Sequence, residues 1–98
     1  MQSLANLDRL LENRIRLAIM AVLASGEPVE FTSLRRLLAT TDGNLATHLA
    51  VLERASYVHV RKGFLGRKTR TTYGVTEKGR RAFARHVDAL EQVVRGGR

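Results

Sequence analysis

Apolar residues recur along this chain at helical spacing in several separate runs, each closed by residues that cap or turn. Leu4, Leu7, Leu10 and Leu11 predict a helix over 3–12, with Asn13 as cap or break. Ile15, Ala18, Ile19, Val22 and Leu23 predict another over about 13–25, ended by Ser25-Gly26-Glu27-Pro28. Val29-Glu30-Phe31 alternates and reads as a small edge strand. Thr32 is placed to cap a short helix over 33–39 with Leu34, Leu37 and Leu38 inward. Ala39-Thr40-Thr41 makes a tight turn, and Thr41 or Asp42 caps a helix over 42–54 whose inner stripe is Leu45, Leu49 and Leu52.

The pattern then changes period. Residues 57–62 and 69–75 are rich in strand formers, and 63–68 joins them as a hairpin with a long tip. Thr76 caps a last helix over 77–95 with a narrow stripe of Phe83, Val87, Leu90 and Val94, and 96–98 should fray. Two short helices joined by a three- to four-residue turn form a helix-turn-helix. With a two-stranded hairpin appended, the expected fold is mainly α (α+β): a winged helix with long terminal helices. Ninety-eight residues without a linker or repeat fit one domain, 1–98.

Charge sharpens this picture. The net charge is +8, which expects a polyanionic partner, nucleic acid before anionic membrane. Residues 61–73 hold five Lys/Arg and no Asp/Glu, whereas 41–60 hold one and two. The absence of Cys removes disulfides, thiol nucleophiles and thiolate metal sites, and three His without metal-binding spacing imply no metal and no cofactor. Leu17–Ala24, preceded by Arg14 and Arg16, faintly resembles a signal segment. It is too short to span a bilayer and has Asp8 and Glu12 upstream, so it reads as a buried helix of a cytoplasmic protein.

The face of 42–54 opposite its leucines is slim and polar: Gly43, Thr47, Ala50 and Arg54. Such a helix suits a DNA groove, with phosphate contacts from the basic hairpin beside it. Candidate DNA contacts are Thr41, Asp42, Gly43, Asn44, Thr47, His48 and Arg54 on the helix, and Arg61, Lys62, Arg67, Lys68 and Arg70 on the hairpin. Asn can read adenine bidentately and Thr can touch a thymine methyl. His48 reads equally as a half-buried structural residue, and Asn44 also as a capping residue. His59 and His86 read as surface or strand-face residues. Arg80, Arg81 and Arg85 reach DNA, pair with Glu77 and Asp88, or are simply solvated. The stripes at the two chain ends, Leu4, Leu7 and Leu11 with Phe83, Val87, Leu90 and Val94, exceed what a core this small needs and read as dimerisation helices over 1–12 and 77–95.

Several motifs stand in a familiar order: Arg16-Leu17-Ala18-Ile19-Met20, Phe31-Thr32-Ser33-Leu34, Thr41-Asp42-Gly43-Asn44-Leu45, His48-Leu49, Leu52-Glu53, Tyr57-Val58, Lys62-Gly63-Phe64, Gly66-Arg67-Lys68, Arg70-Thr71-Thr72-Tyr73, Val75-Thr76 and Gly79-Arg80. Over about 13–94 the chain resembles a family of small winged-helix transcriptional regulators of bacteria and archaea, compact relatives of the MarR and ArsR types. The resemblance implies a homodimer that binds double-stranded DNA at an inverted repeat. In such proteins the 42–54 helix enters the major groove, the 61–70 wing lies along the backbone or minor groove, and the terminal helices make the dimer. Two positions depart from the family pattern: Ser56 stands where Gly often precedes the wing, and Thr69 where Pro often follows Arg-Lys.

The rival functions are weaker. A winged-helix interaction module of a larger assembly would not need the basic wing. RNA binding prefers aromatic platforms, and only Phe64 sits near the tip. For an enzyme, no nucleophile and base, phosphate loop or carboxylate pair can be assembled.

Overall fold

The computed structural model describes residues 2–96. Its elements are α1 (Gln2–Ala5), a 3-10 turn (Arg9–Glu12), α2 (Arg14–Ala24), β1 (Val29–Glu30), α3 (Phe31–Leu38), α4 (Asp42–Arg54), β2 (Val58–Leu65), β3 (Lys68–Val75) and α5 (Glu77–Arg95). The strands form an antiparallel sheet in the order β1-β3-β2. This is the winged-helix arrangement that the element order predicts.

The core explains why the stripes fold together. Ile19, Met20 and Leu23 of α2, Leu34 of α3, and Leu45, Leu49 and Leu52 of α4 are all buried around Leu11 and Val58. Each large apolar side chain removed from water contributes about 1.5–3 kcal/mol, so this cluster outweighs any local propensity. Residues 40–41 lie between α3 and α4 with the left-handed Ala39, whose φ is 50°. The Ala39 N–H donates to the Arg36 carbonyl and the Thr40 N–H to the Arg35 carbonyl, which closes α3 in a Schellman pattern.

α4 ends in the same way. Ser56 has φ 64°, its N–H donates to Glu53, and the Tyr57 N–H donates to Leu52. The turn is therefore the one a glycine would make, and Ser56 carries the strain, on the order of 1 kcal/mol.

Four local expectations are corrected. The 3–12 helix is broken at residues 6–8, because the Asp8 carboxylate accepts from the Leu10 N–H and starts a 3-10 turn. Phe31 opens α3 instead of extending the strand, and Glu30 precedes it without a side-chain cap, so Thr32 is no cap. Leu37 is 65% exposed rather than inward. The wing has no long tip: Leu65 pairs with Lys68, and the turn is Gly66-Arg67 alone, with Gly66 at φ 65°. A positive φ at the first of two turn residues is a hairpin geometry that glycine adopts without strain. Gly96 is a turn residue after α5, and Gly97 and Arg98, the rest of the tail expected to fray, lie outside the described residues.

Among the described residues no helix is long and apolar enough to cross a membrane.

Candidate nucleic-acid interface

Three leucines anchor α4 and leave its other side in water. Leu45, Leu49 and Leu52 are at most 1% exposed, while Asp42, Gly43, Asn44, Ala46, Thr47 and Arg54 are all exposed. Thr41 is the N-cap, its hydroxyl accepting from the Asn44 N–H at 3.1 Å. The Asn44 side-chain amide donates to the Thr40 hydroxyl at 2.8 Å, which orients it and leaves its carbonyl oxygen and second amide hydrogen for an outside partner. The Thr47 hydroxyl donates back to the Gly43 carbonyl at 2.9 Å, fixing the rotamer and with it the methyl group. A Cβ at Gly43 would meet nothing within 4 Å, so packing inside the chain does not require glycine there. Asp42 is held by Arg35 of α3 at 2.8 Å across the turn, and so acts on the helix-turn-helix geometry.

His48 takes the structural option. Its Nδ1 lies 2.9 Å from Nη1 of Arg16, whose Nε donates to the Leu10 carbonyl at 2.6 Å. Arg16 has only donors, so Nδ1 accepts and the proton sits on Nε2. Burial and then the Arg16 charge lower the His48 pKa, which keeps the ring neutral and unlike a phosphate-binding cation. Sequence reasoning missed Arg16, whose partner is 32 positions away. It also missed Arg14, exposed at the start of α2, which borders one recess with Thr40 and Asn44. A cation at the head of an apolar helix gave no sign of that neighbourhood; only the packing of α2 against α4 brings the two together.

The wing presents Arg61, Lys62, Arg67, Lys68 and Arg70, all exposed. Strand register runs unbroken from Val58↔Val75 to Leu65↔Lys68, so the cations ride on a continuous ladder. Arg70 is partly engaged, 3.4 Å from Glu30 at the sheet edge. The pair is half exposed and contributes little to stability.

The wing root is interlocked. Thr76 caps α5 by accepting from the Gly79 N–H at 2.9 Å, and its hydroxyl donates to the Ser56 carbonyl at 2.6 Å. A Cβ at Gly79 would lie 2.1 Å from the Tyr57 carbonyl oxygen, so only glycine fits. The Tyr57 hydroxyl donates to the Asp8 carboxylate; burial first, then Asp8, pushes its pKa up to about 12. His86 is corrected from the surface to the interior: it is 1% exposed, and its Nδ1 accepts from the Asp8 N–H at 2.9 Å. Arg80 donates to the Ala24 carbonyl at the end of α2, and Arg81 stands 3.8 Å from Glu77.

The terminal stripes are divided. Leu11 is fully buried and Phe83 packs against the core, so both serve the fold of one chain; Leu7 and Val87 are half-buried. Leu4, Leu90 and Val94 remain 55%, 36% and 82% exposed, with α1 lying against α5.

The chain combines a helix-turn-helix, whose α4 shows an exposed polar face, with a hairpin whose exposed charges are all cationic. Residues 15–94 match the model of the winged helix DNA-binding domain. The chain belongs to that family. An uncharacterized protein of Methanocaldococcus jannaschii, MJ0432, is 35% identical over 79 residues, covering 81% of this chain and 86% of its own. The solved structure of a transcriptional regulator homologue from Pyrococcus horikoshii OT3 superposes with a TM-score of 0.89 at 31% identity, over 98% of this chain and 97% of that one. The reduced form of the transcriptional regulator YodB from B. subtilis gives 0.73 at 25% identity, over 85% and 80%. The family is a DNA-binding one, and these two solved relatives are named as a transcriptional regulator homologue and a transcriptional regulator. Among the described residues, no group of His, Asp and Glu could hold a metal ion.

Proposed function

We propose that this protein is a transcriptional regulator of MarR type that binds double-stranded DNA sequence-specifically as a homodimer, with α4 in the major groove and the wing on the backbone or minor groove. The observation that carries the reading is the exposed face of α4. Asn44 and Thr47 are pre-oriented by their own hydrogen bonds and contribute nothing to the core; Asn44 shares a recess with Arg14, and the same domain carries a wing of five cations. The cations position the protein on phosphates; the two polar tips read base edges. Leu4, Leu90 and Val94 form the seam between two copies, since exposed apolar side chains of this size are a liability in a monomer.

Selection of bound fragments from random duplex DNA tests the whole reading. It should return an inverted repeat with half-sites about 10–10.5 bp apart or a multiple of that. Asn44→Ala or Thr47→Ala should cost about 1–3 kcal/mol on that site and little on random duplex at one salt concentration. Sedimentation should give a dimer, and Leu90→Glu with Val94→Glu a monomer. Failure to recover any repeat would favour an interaction module instead.

A further inference from the structure

The wing ends in an apolar point that neither the fold nor phosphate binding uses. Phe64 is 76% exposed and Leu65 66% exposed, next to the Gly66-Arg67 turn. They are neighbours in β2, so they lie on opposite faces of the hairpin, and the tip is apolar on both sides. Their cross-strand partners are Thr69 and Lys68, which cover neither. Between Arg61 and Tyr73 there are five cations and no acid, so a polyanion is the surface that meets this tip. The ladder holds its register to the last pair, which carries the tip on strands about 26 Å long at roughly 3.3 Å per residue.

We propose that Phe64, with Leu65 on the other face of the tip, enters the minor groove as a wedge and partly unstacks one base step, so that the protein kinks its DNA. The proposal rests on the DNA-binding reading above and adds deformation to it. An apolar side chain placed between base steps opens the duplex toward the major groove, and the flanking cations neutralise the phosphates that close around it. Pyrimidine–purine steps yield most readily, so each half-site should carry a TA or CA/TG step where the wing lands. The wedge thereby selects sequence without reading a base edge.

The test uses a duplex of about 40 bp carrying the selected repeat, with dyes at both ends and 2-aminopurine at successive steps flanking a half-site. Wild-type protein should bend it by about 20° or more per wing and brighten 2-aminopurine at one step. Phe64→Ala should abolish both signals and weaken binding about tenfold. Phe64→Trp should restore both. Arg67→Ala with Lys68→Ala should weaken binding while the bend persists at saturation. A duplex that is bound but straight, or bent equally by Phe64→Ala, overturns the wedge and leaves sequence-specific binding standing. A protein that binds no duplex removes both readings. Phe64-dependent adsorption to vesicles of anionic lipid, with bound DNA left straight, overturns the wedge in favour of a membrane role for the tip.

Discussion

The two ends of the wing are built on opposite principles. At the root, Tyr57, Val58, Gly74 and Gly79 are buried, and backbone, hydroxyl and carboxylate groups are joined across three segments, at residues 8, 56–57 and 76–79. At the tip, every residue from Arg61 to Arg70 is exposed, and apart from the Arg70–Glu30 pair it is the strand ladder that holds them. The root converts substitution into lost folding free energy. Under the proposed reading, the tip converts it into lost affinity for DNA. A residue's contribution to stability and its contribution to binding are thus separated along a single hairpin.

That separation is open to attack, and the expected effects on stability fall from root to tip. The largest is Gly79→Ala. Its Cβ would sit 2.1 Å from the Tyr57 carbonyl oxygen, which is backbone and cannot swing aside. Overpacking of this kind costs about 2–4 kcal/mol, and the melting temperature should fall by more than about 10 °C. A neutral result would mean that the root is plastic.

Next comes Tyr57. Its hydroxyl pKa is raised in the folded protein from 10.0 to about 12, so the native state holds that proton more tightly than the unfolded chain does. The resulting stabilisation is complete below pH 10 and is lost as pH rises toward 12. Denaturant unfolding across that window should show wild type losing on the order of 2 kcal/mol more than Tyr57→Phe. Parallel pH profiles would show that the Asp8 bond carries no stability.

A smaller effect of opposite sign is expected at Ser56→Gly. Relieving a left-handed serine should raise stability by about 0.5–1 kcal/mol, measured as a higher denaturant midpoint at unchanged slope. The smallest belongs to the tip. Arg67→Ala with Lys68→Ala should leave stability within about 0.5 kcal/mol, while the slope of log K against log salt falls by about 1 per lost phosphate contact. An unchanged slope would detach the wing from the DNA backbone.

How far the sequence could be read follows the same division between local and distant causes. The spans 42–54 and 77–95 are observed with the bounds their stripes and Thr caps suggest, because cap, period and packing all agree there. The break at residues 6–8 was hidden, since Leu4, Leu7, Leu10 and Leu11 keep helical spacing through it while the Asp8 carboxylate redirects the chain. His86 looked like a surface residue among Arg85 and Asp88; its partner at Asp8 is 78 positions away and no periodicity reports it. The tight wing turn was obscured because Gly63 and Gly66 both look like turn residues, and only the register decides between them. At the interface, the slim face of α4 and the cations of the wing were legible as types of residue. The engagement of His48 by Arg16 and of Asp42 by Arg35 was not, because each depends on how α4 meets another helix.

The three leucines that hold α4 have one more consequence. Because Leu45, Leu49 and Leu52 hold that helix on the core, with Arg16–His48 and Arg35–Asp42 tying it to its neighbours, the exposed positions 43, 44, 46, 47 and 54 form a removable cassette. A library randomised at those five sites should yield mostly folded proteins, and under the proposed reading the helix can be reprogrammed toward new operators without redesigning the scaffold beneath it.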